Sequence, residues 1–267
     1  MIKIEDVNFG YASGKHVFDA LNVEWKEPGV YGLLGLNGSG KTTLLKLLSS
    51  LIFPNKGTIT IDGEDVTKRE VSTLSKMYFL ADEAEGLKMK FRDFVKNYAP
   101  FYDHFNKEVL ADCLQQFKVD EEVRIDKMSL GEKKKAFVSF ALAVGTEILL
   151  LDEPTNGLDI PSKKVFRQLL MKYIGDDQTV IIATHLVCDI ANLLDHFIIL
   201  KEDGKAFSQS SVALTKRYAF VKQRDEQGAL YAEPCAEGYR VIKANEGEET
   251  AIDIELLFNA VIKKAIL

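Results

Sequence analysis

Cysteine is scarce in this sequence. Three cysteines occur among 267 residues, Cys113, Cys188 and Cys235, and they lie far apart without a CxxC pair. This pattern excludes a disulfide-stapled scaffold and a cysteine-rich metal site, and it is typical of reduced thiols in the cytosol. The sequence also lacks a run of about 18 apolar residues and, at its beginning, the basic and apolar segments of a signal peptide. We therefore expect neither a membrane-spanning helix nor a secretion signal.

The chain has no excess of positive charge. Its 34 lysines and arginines are outnumbered by 40 aspartates and glutamates, which gives a formal net charge of −6. A general positive field that would attract nucleic acid or an anionic membrane surface is therefore excluded. We interpret the one basic cluster, Lys133, Lys134 and Lys135, as a solvated helix face. With 46% hydrophobic and 28% charged residues, the composition is typical of a globular protein with a sizeable core.

Strand-like and helix-like patterns alternate along most of the chain. Alternating apolar residues predict strands in the first thirty positions, and amphipathic helices are predicted between about 86 and 145. From 147 to 200 strands and helices alternate again, with one helix predicted over 187–194. This order predicts an α/β fold with a central parallel sheet, an N-terminal antiparallel β part and an inserted helical subdomain.

The pattern changes beyond about residue 205. A strand over 239–242 and a helix within 253–266 are predicted there, separated by an acidic loop. We therefore predict one large domain over 1–205 and a small C-terminal accessory region over 206–267.

A glycine-rich segment, GLNGSGKT, lies between a predicted strand and a predicted helix and matches the pattern GxxxxGK[ST]. Glycines let backbone N–H groups point inward at an anion, and the following helix adds the positive end of its dipole. Lys41 would reach the β- and γ-phosphates of a nucleotide, and the Thr42 hydroxyl would bind Mg²⁺. A glycine-rich turn without a ligand is the alternative. The predicted nucleotide-binding residues here are Gly35, Leu36, Asn37, Gly38, Ser39, Gly40, Lys41, Thr42 and Thr43.

An acidic pair follows four apolar residues at 148–151. Asp152 and Glu153 are therefore expected at the carboxyl end of a buried strand, where open α/β sheets bind ligands. We predict that Asp152 holds Mg²⁺ and that Glu153 polarises the attacking water. The pair alone is also compatible with a solvated turn, but together with the phosphate loop it favours nucleotide hydrolysis.

The residues between and after these motifs resemble the ATP-binding-cassette (ABC) ATPases. MSLGE at 128–132 is similar to the LSGGQ signature, NGLD at 156–159 to the D-loop, and His185 to the switch histidine that follows a strand. Tyr11 stands where the family stacks an aromatic ring on adenine; a strand-end tyrosine in the core is the alternative. The resemblance covers about residues 1–205 and implies a P-loop NTPase of the ABC ATPase fold, with ATP and Mg²⁺ as cofactors.

The resemblance further implies a head-to-tail homodimer in which each ATP lies between two copies. Ser129, Gly131 and Glu132 of one copy would face the γ-phosphate that the other copy holds; a simple helix cap is the alternative for Ser129. His185 would sense that phosphate near Glu153, so that Lys41, Glu153 and His185 are the expected catalytic residues.

Two positions depart from the family pattern. Leu130 replaces a signature glycine whose backbone can approach phosphate closely, so the contact between copies is expected to be weaker or differently shaped. Asp82 stands where the family has the Q-loop glutamine. Because a carboxylate can still accept from metal-bound water, Asp82 joins Thr42 and Asp152 as an expected metal residue.

For the whole protein, the resemblance implies the ATP-hydrolysing subunit of an ABC transporter, more narrowly of an exporter. Such a subunit works at the cytoplasmic face of the membrane through a separate permease, and we expect no nucleic-acid partner. A groove between Asp82 and the aromatic-rich segment 91–105 is the predicted docking site for a short permease helix. The alternative, for about half of these aromatic residues, is that they form the core of the helical insert itself. The alternative is a soluble regulatory or clamp-type ABC protein with weak hydrolysis.

Overall fold

The computed structural model describes residues 1–12, 14, 16–82, 87–186 and 190–266. Its strands are β1 Ile2–Gly10, β2 His16–Trp25, β3 Gly29–Gly35, β4 Lys56–Ile61, β5 Glu64–Asp65, β6 Met77–Leu80, β7 Ile148–Asp152, β8 Thr179–Ala183, β9 His196–Leu200, β10 Ala206–Ser210, β11 Tyr218–Gln223, β12 Tyr231–Cys235 and β13 Gly238–Ala244. Its α-helices are α1 Lys41–Leu48, α2 Val71–Leu74, α3 Phe91–Tyr98, α4 Lys107–Phe117, α5 Leu130–Ala143, α6 Ile160–Tyr173, α7 Ser211–Arg217 and α8 Ile254–Ile262. Short 3₁₀ turns lie at Val66–Lys68, Ala99–Phe101, Ile125–Lys127 and Ala191–Leu193.

The central sheet has the strand order β10-β9-β3-β8-β7-β6. Five neighbouring strands, from β9 to β6, run parallel, and β10 pairs antiparallel with β9 at the edge. All five residues of β7 are buried, as expected for a strand covered on both faces. The predicted α/β fold with a central parallel sheet is confirmed.

The two faces of this sheet belong to two hydrophobic clusters. Ile148 and Leu150 of β7 pack with α1 and with the antiparallel sheet β2-β1-β4-β5. Leu149 and Leu151, which point to the opposite face, pack with α3, α4, α5 and α6. The alternation along one strand therefore separates the N-terminal β part from the helical part.

The C-terminal residues form a three-stranded antiparallel sheet, β11-β13-β12, with α8 packed on it. Leu256 and Leu257 of α8 are fully buried and belong to the same hydrophobic cluster as the helical face of the central sheet. The central sheet itself extends through Ser210 by way of β10. The division of the chain near residue 205 stays a prediction.

One predicted helix lies only partly within the described residues, and that part is not α-helical. Residues 187–189 of the predicted helix 187–194, with Cys188, lie outside the described residues, and Ala191–Leu193 forms a 3₁₀ turn. Leu194 packs against Gly32, and His196 already pairs with Tyr31 in the sheet. The chain therefore has only two residues between the turn and β9, which leaves no room for another helical turn.

Candidate functional site

The carboxyl ends of four parallel strands bring the predicted site residues together. The glycine-rich loop follows β3, Asp82 follows β6, Glu153 follows β7 and His185 follows β8. Parallel strands present these ends at one edge of the sheet, where α/β folds bind ligands. A cavity of about 450 Å³ lies there, and it is lined by Tyr11, Val17, Asn37, Gly38, Gly40, Lys41, Thr42, Thr43, Asp82, Glu153, Asn156 and His185.

The glycine-rich loop leads into α1 through Gly40. Gly40 is the N-cap residue of α1 and has φ 100°, a left-handed backbone that favours glycine. A Cβ atom at this position would lie 2.5 Å from Cγ1 of Val17, so a side chain would not fit. No side chain caps α1 and no acidic residue occupies its first turn. The first N–H groups of α1 are therefore free of side-chain competitors for an anion.

Lys41 lies at the start of α1 and is buried. Its ammonium Nζ donates to the carbonyl oxygens of Gly35 at 2.8 Å and Leu36 at 3.3 Å. Burial lowers the pKa of Lys41, and the nearby carboxylates of Glu153 and Asp152 oppose this shift. A buried cation beside a glycine loop is the arrangement that favours a polyanionic ligand.

Asp152, at the end of β7, is 1% exposed. Oδ1 of this side chain is buried and, within the described residues, without a hydrogen-bond partner. Burial raises the pKa of Asp152, the nearby Thr42 side chain lowers it, and the charges of Asp82 and Glu153 raise it further. An unpartnered carboxylate oxygen beside a hydroxyl is an oxygen donor set that fits Mg²⁺.

Glu153 adopts a left-handed backbone with φ 45°, which is uncommon for a residue other than glycine. Its carboxylate accepts from Thr184 Oγ1 at 3.0 Å and from the backbone N–H of His185 at 3.1 Å. Nδ1 of His185 lies 2.8 Å from Glu153 Oε1. The carboxylate is therefore held on one side by the residues after β8 and faces the cavity, which is the geometry of an oriented general base.

The mouth of the cavity is formed by Tyr11 and Thr43. The Tyr11 hydroxyl is hydrogen-bonded to Thr43 Oγ1 at 3.0 Å, and its ring packs edge-on against Phe9. The Tyr11 side chain is 42% exposed, so one part of the ring is open to a planar ligand. Tyr11 therefore lies at the cavity rather than in the core.

Asp82 lines the same cavity but is bound by groups from other elements. Lys134 on α5 donates to its carbonyl oxygen at 2.6 Å and to its Oδ1 at 3.0 Å, and Asn156 Nδ2 lies 3.5 Å from the same Oδ1. The interpretation of Lys133–135 as a solvated face is wrong for Lys134, which is 4% exposed. The side chain points inward because its charge is paired with Asp82.

The signature-like residues lie at the start of α5 and do not line the cavity. Ser129 is the N-cap residue of α5 and forms a capping box with Glu132. Ser129 donates from its N–H and its hydroxyl to Glu132 Oε2 at 2.8 and 2.7 Å, and these bonds lower the pKa of Glu132. Leu130 is 59% exposed and packs beside Gly157 of the D-loop-like segment. Within one copy, Ser129 and Glu132 therefore form a cap, and Gly131 lies between them in the first turn of α5.

Sequence reasoning missed three contributors to this site. Asn156 was recognised only as part of a motif, although it lines the cavity and reaches Asp82. Thr184 holds Glu153, and a threonine at a strand end carries no distinctive signal. Lys134 lies 52 residues from Asp82 along the sequence. Its only signal in the sequence is its position two residues after the signature-like motif.

Comparison with known proteins supports the same reading. The family model described as ABC transporter matches residues 18–156. The ABC transporter ATP-binding protein NatA of Bacillus subtilis (strain 168) is 30% identical over 212 residues, covering 75% of this chain and 85% of that protein. The bacitracin transport ATP-binding protein BcrA of Bacillus licheniformis is 33% identical over 214 residues, covering 78% and 69%.

A solved structure shows the same fold. The dimeric post-hydrolysis state of the ATP-binding cassette MJ0796, bound to ADP and Pi, superposes with a TM-score of 0.66 at 24% identity, covering 79% of this chain and 98% of that one. In the described ranges of the present chain, no helix combines the length and apolar character needed to cross a membrane. From the family match, the two relatives and the shared fold, the chain belongs to the ABC transporter family and is one of its ATPase cassettes.

Proposed function

We propose that this chain hydrolyses Mg²⁺-bound ATP in the cavity at the carboxyl edge of its central sheet. The proposal is carried by one observation: a glycine loop with a buried lysine and an oriented glutamate line the same cavity. Asp152, directly before that glutamate, has a buried oxygen without a hydrogen-bond partner among the described residues. In this proposal Gly35 to Thr43 surround the phosphates, and the adenine lies on the open part of the Tyr11 ring.

The first task of the protein is to neutralise the triphosphate. The uncapped N–H groups at the start of α1 and the Lys41 ammonium supply donors and positive charge within a few ångströms of the loop. Thr42 and Asp152 would hold Mg²⁺, with Asp82 facing the same space. When bound, Mg²⁺ draws negative charge from the β- and γ-phosphates.

The second task is to prepare water for attack on the γ-phosphate. Glu153 would accept a proton from this water, because its carboxylate faces the cavity and is fixed by Thr184 and the His185 N–H. His185 would orient Glu153 through Nδ1 and contact the γ-phosphate through its other ring nitrogen. A general base of this kind typically contributes ~10²–10⁴ to the rate.

We propose that two copies close head to tail on ATP. Each copy would present Ser129, Gly131 and Glu132 to the γ-phosphate bound by the other, since these residues do not line their own cavity. The dimeric post-hydrolysis state of MJ0796, bound to ADP and Pi, supports the pairing of two copies. Closing on ATP and reopening after hydrolysis would supply the mechanical work.

That work would move a separate membrane permease, at whose cytoplasmic side the chain would reside, and the proposed direction is export. Support comes from the relatives named for transport and from the signature with one glycine, which resembles those of drug and bacitracin-type exporters. A short permease helix would occupy the cavity of about 330 Å³ beside Asp82 that Tyr78, Phe94, Tyr98, Tyr102, Phe137 and Phe140 line in part.

The decisive experiment compares the ATPase rate of the purified chain with that of Glu153→Gln. We expect kcat to fall by ~10²–10⁴, while the variant still binds ATP and forms a stable dimer detectable by size-exclusion chromatography. Glu202→Gln, on the exposed turn after β9, is the control and should leave kcat and ATP binding unchanged. Equal rates in the wild type and Glu153→Gln would remove Glu153 from the mechanism and contradict the proposal.

A further inference from the structure

Only three charged side chains are buried in the part of the chain that the structure describes: Lys41, Asp152 and Lys134. The first two belong to the phosphate loop and to the acidic end of β7. Burying a charge is costly unless it is paired, so a buried lysine needs a specific partner. Lys134 has no place in the function derived above, although it is as deeply buried as the two residues that do.

Lys134 reaches this position from α5, two residues beyond the signature-like motif. Its ammonium is bound to two oxygen atoms of the same residue, the carbonyl at 2.6 Å and Oδ1 at 3.0 Å of Asp82. The lysine side chain is 3% exposed and that of Asp82 is 37% exposed. The pair therefore ties the loop after β6 to α5 while the carboxylate still borders the cavity.

The charges around this pair explain why a lysine is needed. Asp82, Asp152 and Glu153 are three carboxylates in one region, and Asp82 and Glu153 both act electrostatically on Asp152. Lys134 acts on Asp152 in the opposite direction. Since the cavity must also accept a polyanion, an unpaired Asp82 would repel the ligand and the neighbouring carboxylates.

We propose that Lys134 is a positioning residue of the ATPase site, which neutralises Asp82 and holds it at the cavity edge. This inference rests on the proposed function. The charge of Lys134 is then needed because residue 82 is a carboxylate, whereas its bond to the backbone carbonyl of residue 82 does not depend on that side chain. Lys134 also makes the position of Asp82 depend on α5, so movement of the signature-bearing helix would be transmitted to the cavity.

A double-mutant cycle on the full chain tests this. The variants are Lys134→Met, Asp82→Asn and the double variant, with Lys133→Met as matched control from the same helix. Among the contacts of the described residues, Lys133 makes no hydrogen bond to Asp82. A fluorescent ATP analogue measures nucleotide affinity with and without Mg²⁺, alongside kcat and the midpoint of thermal unfolding.

We expect Lys134→Met to weaken analogue binding and to lower kcat by about tenfold each, because it leaves an unpaired carboxylate at the cavity. In the Asp82→Asn background the same substitution should change affinity by less than threefold, and Lys133→Met should have no effect. If Lys134→Met does not fold, Lys134→Gln, which removes the charge but keeps a donor, takes its place in the cycle.

If Lys134→Met lowers analogue affinity equally in the wild-type and Asp82→Asn backgrounds, the inference is overturned and Lys134 is a packing residue. A double variant that fails to fold while Asp82→Asn folds would lead to the same conclusion. Failure of the proposed function gives a different result, in which the wild type itself binds the analogue no better than Lys41→Ala.

Discussion

The chain presents two helix beginnings that the proposed function assigns to phosphate, and they are built in opposite ways. Helix α1 starts after Gly40, without a side-chain cap and without an acidic residue in its first turn. Helix α5 starts after Ser129, and its first turn contains Glu132, which completes a capping box. The N–H groups of α1 are therefore open to a ligand, whereas α5 already satisfies part of its own start.

The difference indicates which step of the proposed function each helix start controls. An open helix start with a buried lysine can bind an anion from within one copy. At the capped start, the Ser129 hydroxyl can donate to phosphate only if it gives up its bond to Glu132. We therefore expect α1 to determine nucleotide affinity and α5 to determine how readily two copies close.

The largest expected effect lies at α1. Lys41→Ala should weaken ATP binding by about 100-fold, because hydrogen bonds to a charged group contribute roughly 1.5–3 kcal/mol each. Isothermal titration calorimetry with ATP checks this, and Lys46→Ala, near the end of the same helix, is the control. Affinity that survives in Lys41→Ala would show that α1 does not hold the phosphates.

At α5 the expected effect concerns stability first. Ser129→Ala removes the N-cap side chain and should lower the free energy of unfolding by about 1 kcal/mol. Urea denaturation followed by circular dichroism measures the change. Nucleotide affinity of the single copy should stay within twofold of the wild type, and a large loss of affinity in dilute monomer would contradict the division between the two helix starts.

A smaller effect is expected from Glu132→Gln, which keeps the shape of the capping box and removes its charge. Because a negative charge near the partner's γ-phosphate opposes closure, the variant should dimerise at a several-fold lower protein concentration in the presence of ATP. Analytical ultracentrifugation in the Glu153→Gln background measures this. Weaker dimerisation would mean that the carboxylate contributes favourably.

The same carboxylate gives a pH dependence. The hydrogen bonds from Ser129 lower the pKa of Glu132 in the folded chain. Its stabilising contribution is therefore present above the ordinary glutamate pKa of about 4.3 and is lost as the pH falls through the lower folded value. The stability difference between the wild type and Glu132→Gln should shrink over that acidic range; a difference independent of pH would exclude this origin.

Much of the fold and of the cavity could be predicted because the decisive signals are local. A glycine-rich loop between a strand and a helix, and an acidic pair after four apolar residues, determine where Lys41 and Asp152 lie once the sheet is parallel. The alternation of strand-like and helix-like segments likewise predicted a parallel sheet. These features depend on neighbours within a few positions.

What could not be predicted depends on contacts between distant segments. Lys134 is buried because Asp82, 52 residues earlier, accepts its bonds, and a run of lysines by itself indicates solvent. The strands β10, β11 and β12 were also missed, since their short patterns are stabilised by pairing with β9 and β13. Local periodicity cannot specify such partners.

The antiparallel strand β10 has a practical consequence for shortened versions of this protein. A chain cut after Lys205 would remove β10, one of the two strands that pair with β9, and leave one edge of the buried, apolar strand β9 without a partner. Such an edge invites strand addition from other molecules. A truncation intended to isolate the catalytic part should therefore retain at least residues 206–210, or it will aggregate before its ATPase activity can be measured.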